Sequence, residues 1–190
     1  MELKIYVIDN GGQWTHREWR VIRDLDVDCE IKSNASTLDE ISDADGIVLS
    51  GGAPSIAYES FKLGNTSEFL DKMNVPILGI CVGAQFMGMH YGTRVSPAVH
   101  PEFGRVEISI VKEDSLLNGL PHKFIAWESH NDEINEVPPG FELLASSETC
   151  KIQAMANVDL KRYGLQFHPE VEHTQFGRNI FKNFLELCAH

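Results

Sequence analysis

The sequence predicts an α/β fold: a doubly wound, mostly parallel sheet with helices on both faces, plus a smaller antiparallel β portion in the second half. In the first half, short apolar runs alternate with helical patterns, which is the order that builds a parallel sheet with crossover helices. After Gly104 the pattern becomes mostly β, with turn residues between the segments. With 190 residues and no repeats or linker-like stretches, the chain is expected to form one domain, residues 1–190.

Four strands are predicted in the first half, and the last is an unbroken apolar run typical of a strand buried on both faces. They comprise residues 4–8, 27–31, 46–49 and 75–80. Helices are predicted between them at residues 16–25, where apolar residues recur at helical spacing, and at residues 66–73, with a further helix at residues 84–90. The second half is predicted to hold strands at residues 105–111, 123–127, 141–145, 152–157 and 163–167, and a final amphipathic helix at residues 176–188.

Charge and cysteine usage exclude several classes of protein. The net charge of -12 disfavours nucleic-acid binding, because such proteins draw much of their affinity from clustered Lys and Arg. No apolar run is long enough to span a membrane, and no export signal is visible at the N-terminus. The four cysteines form no Cys-x-x-Cys pair, which argues against a zinc ribbon or a disulfide framework. We therefore expect a cytoplasmic protein that binds small molecules and protein partners, with no nucleic acid and no membrane.

Cys81 is the first candidate for a catalytic residue. It lies in Gly79-Ile80-Cys81-Val82-Gly83, between a buried strand and a helix, where a sharp turn needs small residues on both sides of a nucleophile. Such a turn lifts the side chain clear of the sheet and places the thiol at a helix N-terminus, which favours the thiolate. Taken alone, the pattern fits a buried structural cysteine equally well.

A His-Pro-Glu run supplies a candidate base, His168, and a carboxylate to orient it, Glu170. The proline restricts His168 to an extended conformation, in which residues two apart point the same way. The same tripeptide occurs at residues 100–102, where a loop is expected, whereas His168 follows an apolar strand at the sheet edge where open α/β sheets place their sites. His130 and His173 are candidates by residue type only. A solvated His and Glu around a turn proline is the alternative interpretation.

Two backbone N–H groups are candidates for an oxyanion hole. Gly52, in the Ser50-Gly51-Gly52 loop after the third strand, lets its N–H approach a substrate oxygen without side-chain obstruction. Val82, the residue after the candidate nucleophile, supplies the second N–H. An ordinary tight turn is the alternative for the glycine loop. The sequence contains no glycine-rich phosphate-binding motif, so no nucleotide site is expected in this chain.

Taken together, the Cys81 segment, the Ser50-Gly51-Gly52 loop and the His168 segment resemble the class I glutamine amidotransferases, and they occur in that family's order. More narrowly, residues 8–13, 127–132 and 168–174 resemble the glutaminase portion of GMP synthetases, and the resemblance spans nearly the whole chain. The family usually reads Gly-Gly-Pro in the oxyanion loop, whereas Ala53 stands before Pro54 here.

The resemblance implies a role for each matching residue. Cys81 is the nucleophile, His168 the base and then the acid, and Glu170 the orienting carboxylate. Gly52 and Val82 supply the oxyanion-hole N–H groups. Four polar side chains help to hold the glutamine: Gln85, Ser129, Asn131 and Asp132.

The resemblance also implies a division of labour between two proteins. Glutamine is hydrolysed by this chain, and the ammonia passes to an ATP pyrophosphatase unit that converts xanthosine monophosphate to GMP. Because the chain ends at His190, it is similar to the two-subunit form of the enzyme, in which the synthetase is a separate polypeptide. ATP and Mg²⁺ are therefore expected on the partner, with no cofactor and no metal in this subunit.

Three other functions stay open. The glutaminase subunit of anthranilate or aminodeoxychorismate synthase shares the triad and the oxyanion loop, but usually reads His-Pro-Glu-Ser where Val171 stands here. A cysteine peptidase or hydrolase with a similar nucleophile turn is a more distant enzyme. A catalytically unused scaffold of the same fold is the alternative from another class.

Overall fold

The computed structural model describes residues 3–190, in which nine strands form a single sheet. The strands are β1 (Lys4–Asp9), β2 (Asp28–Ser33), β3 (Gly46–Leu49), β4 (Ile77–Ile80), β5 (Val95–Ile110), β6 (Lys123–Ile134), β7 (Glu142–Ser146), β8 (Ala154–Asn157) and β9 (Arg162–Leu165). Their order across the sheet is β2-β1-β3-β4-β9-β8-β7-β5-β6. The helices are α1 (Thr15–Arg23), α2 (Ile56–Glu59), α3 (Thr66–Lys72), α4 (Val82–His90) and α5 (Gly177–Cys188). Short 3-10 turns occupy Asp39–Ile41, Ser60–Leu63 and Ser115–Leu117.

The first half forms the parallel part of the sheet, from β2 through β1, β3 and β4 to β9. Every residue of β3 and β4 is buried, as expected for apolar runs covered on both faces. The chain moves outward from β1 to β2 and then returns to β3 on the other side of β1. Right-handed crossovers therefore place α1 and α3 on opposite faces of the sheet. The predicted fold class is confirmed.

The second half forms the antiparallel part, which continues the same sheet from β9 through β8, β7 and β5 to β6. Two of its strands are longer than predicted: β5 begins at Val95, and β6 runs on to Ile134. The prediction of a loop at residues 100–102 is wrong, since these residues lie within β5 next to a register irregularity between Pro97 and Glu102. Prolines and a glycine in the β5 extension, and charged and amide residues in the β6 extension, are uncommon in strands, which hid both extensions. Here their side chains alternate between buried and exposed along β6.

Strand β6 returns to the parallel half and joins the segment that follows β9. The backbone N–H of His168 donates to the carbonyl of Trp127 at 3.0 Å. Thr174 reinforces this contact, because its hydroxyl accepts from the Trp127 N–H at 2.9 Å and donates to the His168 carbonyl at 2.6 Å. The second half of β6, with Ser129, Asn131 and Asp132, is thereby held over the carboxyl end of β4.

Arg162, the first residue of β9, is a buried anchor in the parallel half. Its guanidinium donates to three backbone carbonyls, those of Val75 at 2.8 Å, Leu70 at 2.9 Å and Met73 at 2.6 Å. These contacts satisfy the carbonyls at the end of α3 and fix the segment that leads into β4. Within residues 3–190, no helix combines the length and the apolarity that a bilayer crossing needs.

Candidate active site

Cys81 stands in a sharp turn between β4 and α4, with backbone angles φ 49° and ψ -108°. A positive φ at a non-glycine residue costs about 1–3 kcal/mol and persists only where the surroundings impose it. Two glycines leave room for this turn. A Cβ on Gly83 would lie 2.3 Å from the Leu49 carbonyl oxygen, and a Cβ on Gly79 would lie 2.7 Å from the Ala84 nitrogen. The turn therefore requires the small residues that the sequence supplies.

The thiol of Cys81 is 4% exposed and touches two neighbouring elements. Its Sγ lies 3.9 Å from the Ser129 carbonyl oxygen on β6 and accepts from the Gln166 side-chain amide at 3.7 Å. Its backbone N–H donates to the Leu165 carbonyl at 2.7 Å, one residue beyond the last pair of the β4–β9 ladder. The position of the nucleophile candidate is thus fixed by backbone contacts on both sides.

His168 and Glu170 form a buried pair next to this thiol. The imidazole Nδ1 donates to Glu170 Oε1 at 2.7 Å, while Nε2 is buried without a hydrogen-bond partner among residues 3–190. A Cβ on Gly51 would lie 3.1 Å from His168 Cε1 and 3.7 Å from Cys81 Cβ, so both side chains flank the same glycine. Burial alone would lower the pKa of His168, but the charges of Glu170 and the Cys81 thiolate outweigh it and raise that pKa well above its usual value.

The other histidine candidates lie elsewhere. His100 is exposed, and the carboxylate of Glu102 is used within the fold, where it accepts from His130 Nε2 at 2.9 Å. His173 is about half exposed and packs against Trp127. The first His-Pro-Glu copy therefore contributes its carboxylate to the core and its imidazole to the surface.

Glu102, His130 and Cys150 bring potential metal-ligand atoms within 4.8 Å of one another. Protein groups already occupy the polar atoms of this cluster: His130 Nδ1 donates to the Asp132 carbonyl at 2.9 Å, and Glu102 also accepts from Gln153 at 2.7 Å. Burial would raise the pKa of Glu102, yet hydrogen bonds from His130 and two hydroxyl groups lower it below its usual value. The arrangement is a satisfied ionic network that supports β6.

The oxyanion-loop residues lie beside the thiol. The Gly51 carbonyl faces Gly12, since a Cβ on Gly12 would lie 2.4 Å from that oxygen. Ser50 ties the loop to β1 by accepting from the Asn10 backbone N–H at 2.9 Å. Within the part of the chain that the structure describes, neither the Gly52 N–H nor the Val82 N–H donates to a protein acceptor. Both groups are thus available to a substrate oxygen.

Two cavities meet at Cys81. The smaller, about 110 Å³, contains all four residues predicted to hold glutamine, Gln85, Ser129, Asn131 and Asp132, together with Gly52 and Val82. Gln85 spans its base, donating to the Asp132 carbonyl at 2.7 Å. The Asp132 carboxylate accepts from the Ser55 hydroxyl at 2.6 Å, which closes the cavity against the oxyanion loop.

The larger cavity, about 350 Å³, opens on the other side of the thiol, next to His168 and Glu170. Its wall includes two residues that the sequence reasoning missed, Trp14 and Glu18. The Trp14 ring meets the His168 ring edge-on at a centroid distance of 4.5 Å. The sequence did contain a signal for Glu18, because its spacing from Thr15 and Ile22 places all three residues on one face of the helix. In the structure that face is buried.

Comparisons with known proteins found a matching family model and similar proteins. The family model described as glutamine amidotransferase class-I matches residues 6–188. The chain is 54% identical over 187 residues to a glutamine-hydrolysing GMP synthase subunit of Thermoplasma acidophilum, covering 98% of this chain and 94% of that protein. It is 49% identical to the protein of the same name from Thermococcus kodakarensis, covering 97% and 98% of the two chains.

A solved structure matches equally well. The crystal structure of a Thermoplasma acidophilum protein described as a GMP synthase subunit superposes with a TM-score of 0.95 at 53% identity, covering 100% of this chain and 95% of that one. On the family match, these relatives and the shared fold, the chain belongs to the class I glutamine amidotransferases.

Proposed function

We propose that this chain is the glutaminase subunit of a GMP synthetase, with residues 1–190 forming a single amidotransferase domain. The observation that carries the glutaminase assignment is the Cys81–His168–Glu170 constellation, which lies beside two backbone N–H groups without an acceptor among residues 3–190. The narrower assignment is supported by the relatives that are named as glutamine-hydrolysing GMP synthase subunits, which match over nearly their full length.

In this proposal Cys81 Sγ attacks the side-chain amide carbon of glutamine. The Gly52 and Val82 N–H groups stabilise the resulting oxyanion, and the loss of one such donor costs about 3 kcal/mol in the barrier. His168 transfers a proton from Nε2 to the departing nitrogen, so ammonia leaves and a thioester remains on Cys81. The same imidazole then takes a proton from water, which attacks the thioester and releases glutamate.

Glu170 keeps the imidazole oriented through its hydrogen bond to Nδ1 and stabilises the imidazolium. The smaller cavity holds the glutamine, with Ser129 and Asn131 in its wall and Gln85 bridging to Asp132. Because Gln85 and the Asp132 carboxylate are bound to protein groups, they shape the pocket, while the backbone at Ser129 lies nearest the thiol.

The ammonia is used by a partner. We propose that a separate ATP pyrophosphatase subunit binds ATP, Mg²⁺ and xanthosine monophosphate, and that this chain acts in the cytoplasm without a cofactor, a metal, nucleic acid or a membrane. Bulk water would convert ammonia to ammonium, which is not a nucleophile, so the partner must shield its route. Exposed apolar side chains near the cavities suit such a contact, including Phe103, which lines the larger cavity and is 61% exposed.

A reconstitution assay tests the proposal. The purified chain is mixed with ATP, Mg²⁺, xanthosine monophosphate and a candidate ATP pyrophosphatase, and glutamine-dependent GMP formation is measured. We expect weak glutamine hydrolysis by the lone chain and strong stimulation in the complex. Equal turnover with and without the partner would contradict the coupling. Formation of anthranilate or aminodeoxychorismate with the corresponding synthase partner would assign the chain to that synthase instead. A chain that a glutamine-analogue electrophile leaves unmodified would be a scaffold.

A further inference from the structure

The larger cavity contains a second buried carboxyl group, which the proposed mechanism does not use. Glu18 lies on α1, is 1% exposed, and shares the cavity wall with Cys81, His168 and Glu170. A carboxylate taken out of water costs several kcal/mol unless it is paired or neutralised. Among the described residues that line this cavity, His168 is the one that could carry a positive charge, and it is already paired with Glu170 in the triad.

The two carboxyl groups of this cavity accept too few hydrogen bonds for two negative charges. Oε1 of Glu18 accepts from the Gly51 N–H at 3.3 Å, and Oε1 of Glu170 accepts from His168 Nδ1 at 2.7 Å. The Oε2 atoms of both residues are buried and have no hydrogen-bond partner within residues 3–190. Like charges on buried carboxyl groups repel strongly, so one of the two groups holds a proton. Glu170 has the imidazole as its partner, which leaves the proton on Glu18.

We propose that Glu18 is a neutral carboxylic acid in the working enzyme and acts as a positioning residue for glutamine hydrolysis. Its carbonyl oxygen holds the Gly51 N–H and so fixes the peptide that leads into Gly52. In its protonated form it adds no negative charge to the cavity that holds Glu170. The inference rests on the proposed function, because it describes how Glu18 acts through the oxyanion loop and the triad.

The charges around Glu18 agree with a neutral group. Burial and the charge of Glu170 raise the pKa of Glu18 well above its usual value, and the Cys81 thiolate adds to this. The Gly51 N–H and His168 act in the opposite direction. Ionisation of Glu18 at alkaline pH would place another negative charge beside Glu170, where it opposes both the thiolate and the oxyanion. The reaction rate is therefore expected to fall on the alkaline side as Glu18 loses its proton.

Two substitutions separate the positioning role from a purely structural one. Glu18→Leu removes the anchor of Gly51, whereas Glu18→Gln keeps a carbonyl oxygen and an N–H donor but cannot ionise. The readout is the rate at which a glutamine-analogue diazoketone modifies Cys81 in the full-length chain, across neutral and alkaline pH. Iodoacetamide serves as a second reagent that needs no oxyanion hole, and Glu172→Gln, an exposed neighbour of the triad, is the matched control.

We expect Glu18→Leu to slow diazoketone labelling by about ten- to a hundredfold, as small misplacements of catalytic groups do. Its thermal unfolding midpoint should not fall, since an uncompensated carboxyl group is removed. Glu18→Gln should rescue most of the rate and lose the alkaline decline. Labelling of Glu18→Leu at the wild-type rate, or an alkaline decline that persists in Glu18→Gln, would overturn the positioning role.

The proton itself is observed without turnover. An infrared difference spectrum between wild type and Glu18→Gln at neutral pH should contain the carbonyl band of a protonated carboxylic acid. Burial also raises the pKa of Glu128 on β6, and taking the difference removes the contribution of that second acid. Absence of that band would refute a neutral Glu18. Wild-type protein that neither reagent labels would instead overturn the proposed function, while the difference band would still decide the protonation state of Glu18.

Discussion

Replacing Glu102 by Gln is the sharpest test of how the antiparallel half supports the site. The Glu102 carboxylate is buried and accepts four hydrogen bonds. His130 Nε2 donates at 2.9 Å and the Gln153 amide at 2.7 Å to Oε2, while the hydroxyls of Ser147, at 2.6 Å, and Thr149 donate to Oε1. A glutamine can retain one oxygen acceptor only, so two of the four donors lose their acceptor.

The size of the stability loss depends on which of the four donors can find another partner. The two hydroxyl groups can rotate and accept from the new amide, but His130 and Gln153 cannot, and both then meet a neutral oxygen in place of a charged one. Two weakened bonds to a charged acceptor, at about 1.5 kcal/mol each, give a loss of about 3 kcal/mol at neutral pH. Because His130 also donates to the Asp132 carbonyl, glutamine hydrolysis should fall along with stability.

The pH dependence has a definite sign. The folded-state pKa of Glu102 lies below its usual value, so this carboxylate contributes stability above the unfolded pKa and loses it as the pH falls through the folded one. Urea denaturation of both proteins at neutral and acidic pH should therefore show a difference that shrinks in acid. Glu107→Gln, on the same strand but half exposed and paired with Lys123, is the control and should not shift the midpoint. A loss below about 1 kcal/mol for Glu102→Gln, or one independent of pH, would refute this reasoning.

Three further variants test other parts of the structure. Gly51→Ala should place a methyl group about 3 Å from the His168 ring and reduce glutaminase activity by about a hundredfold, with little change in melting temperature. An activity loss under about threefold would contradict this expectation. Arg162→Leu should destabilise the fold by about 3 kcal/mol in urea denaturation, because three backbone carbonyl groups lose their donor. A loss no larger than that of an exposed substitution would show that water replaces the guanidinium. Burial and the Glu102 charge raise the pKa of Glu128 in the folded protein. Ionisation of this acid therefore lowers the stability of the fold increasingly as the pH rises above the pKa that Glu128 has in the unfolded chain. Glu128→Leu should therefore raise the melting temperature more at alkaline than at acidic pH, and an equal shift at both would argue against a neutral Glu128.

The parts of the site that depend on local backbone geometry could be predicted from the sequence. The turn at Cys81 needs Gly79 and Gly83, and both are visible as a spacing pattern next to an apolar run. The preference for His168 over His100 followed from the strand before it, and in the structure His168 lies beside the thiol and pairs with Glu170. The loop predicted at residues 100–102 was wrong because burial of Glu102 depends on partners far away in the sequence, a tertiary effect that overrides strand propensity.

The features that the sequence could not supply depend on long-range packing. The return of β6 towards β9, set by the contact between His168 and Trp127, brings Ser129 to the thiol, and nothing in the residues near Ser129 encodes that distance. Glu18 gave a weak signal as an acid on a buried helix face. Its place beside the triad depends on the packing of α1 against β1 and β2, which a helical periodicity alone does not specify.

The pairing of β4 with β9 determines which changes to the chain would preserve the spacing of the reactive groups. Ile80 pairs with Leu165, and the two reacting side chains lie one and three residues beyond that pair. Neighbouring strands in a sheet stay about 4.8 Å apart whatever their side chains, so the spacing of thiol and imidazole is inherited from main-chain pairing. Core substitutions that leave this pairing intact should therefore retain the spacing of the two reactive groups. Insertion of a single residue at the end of either strand would turn the nucleophile or its base to the opposite face of the sheet.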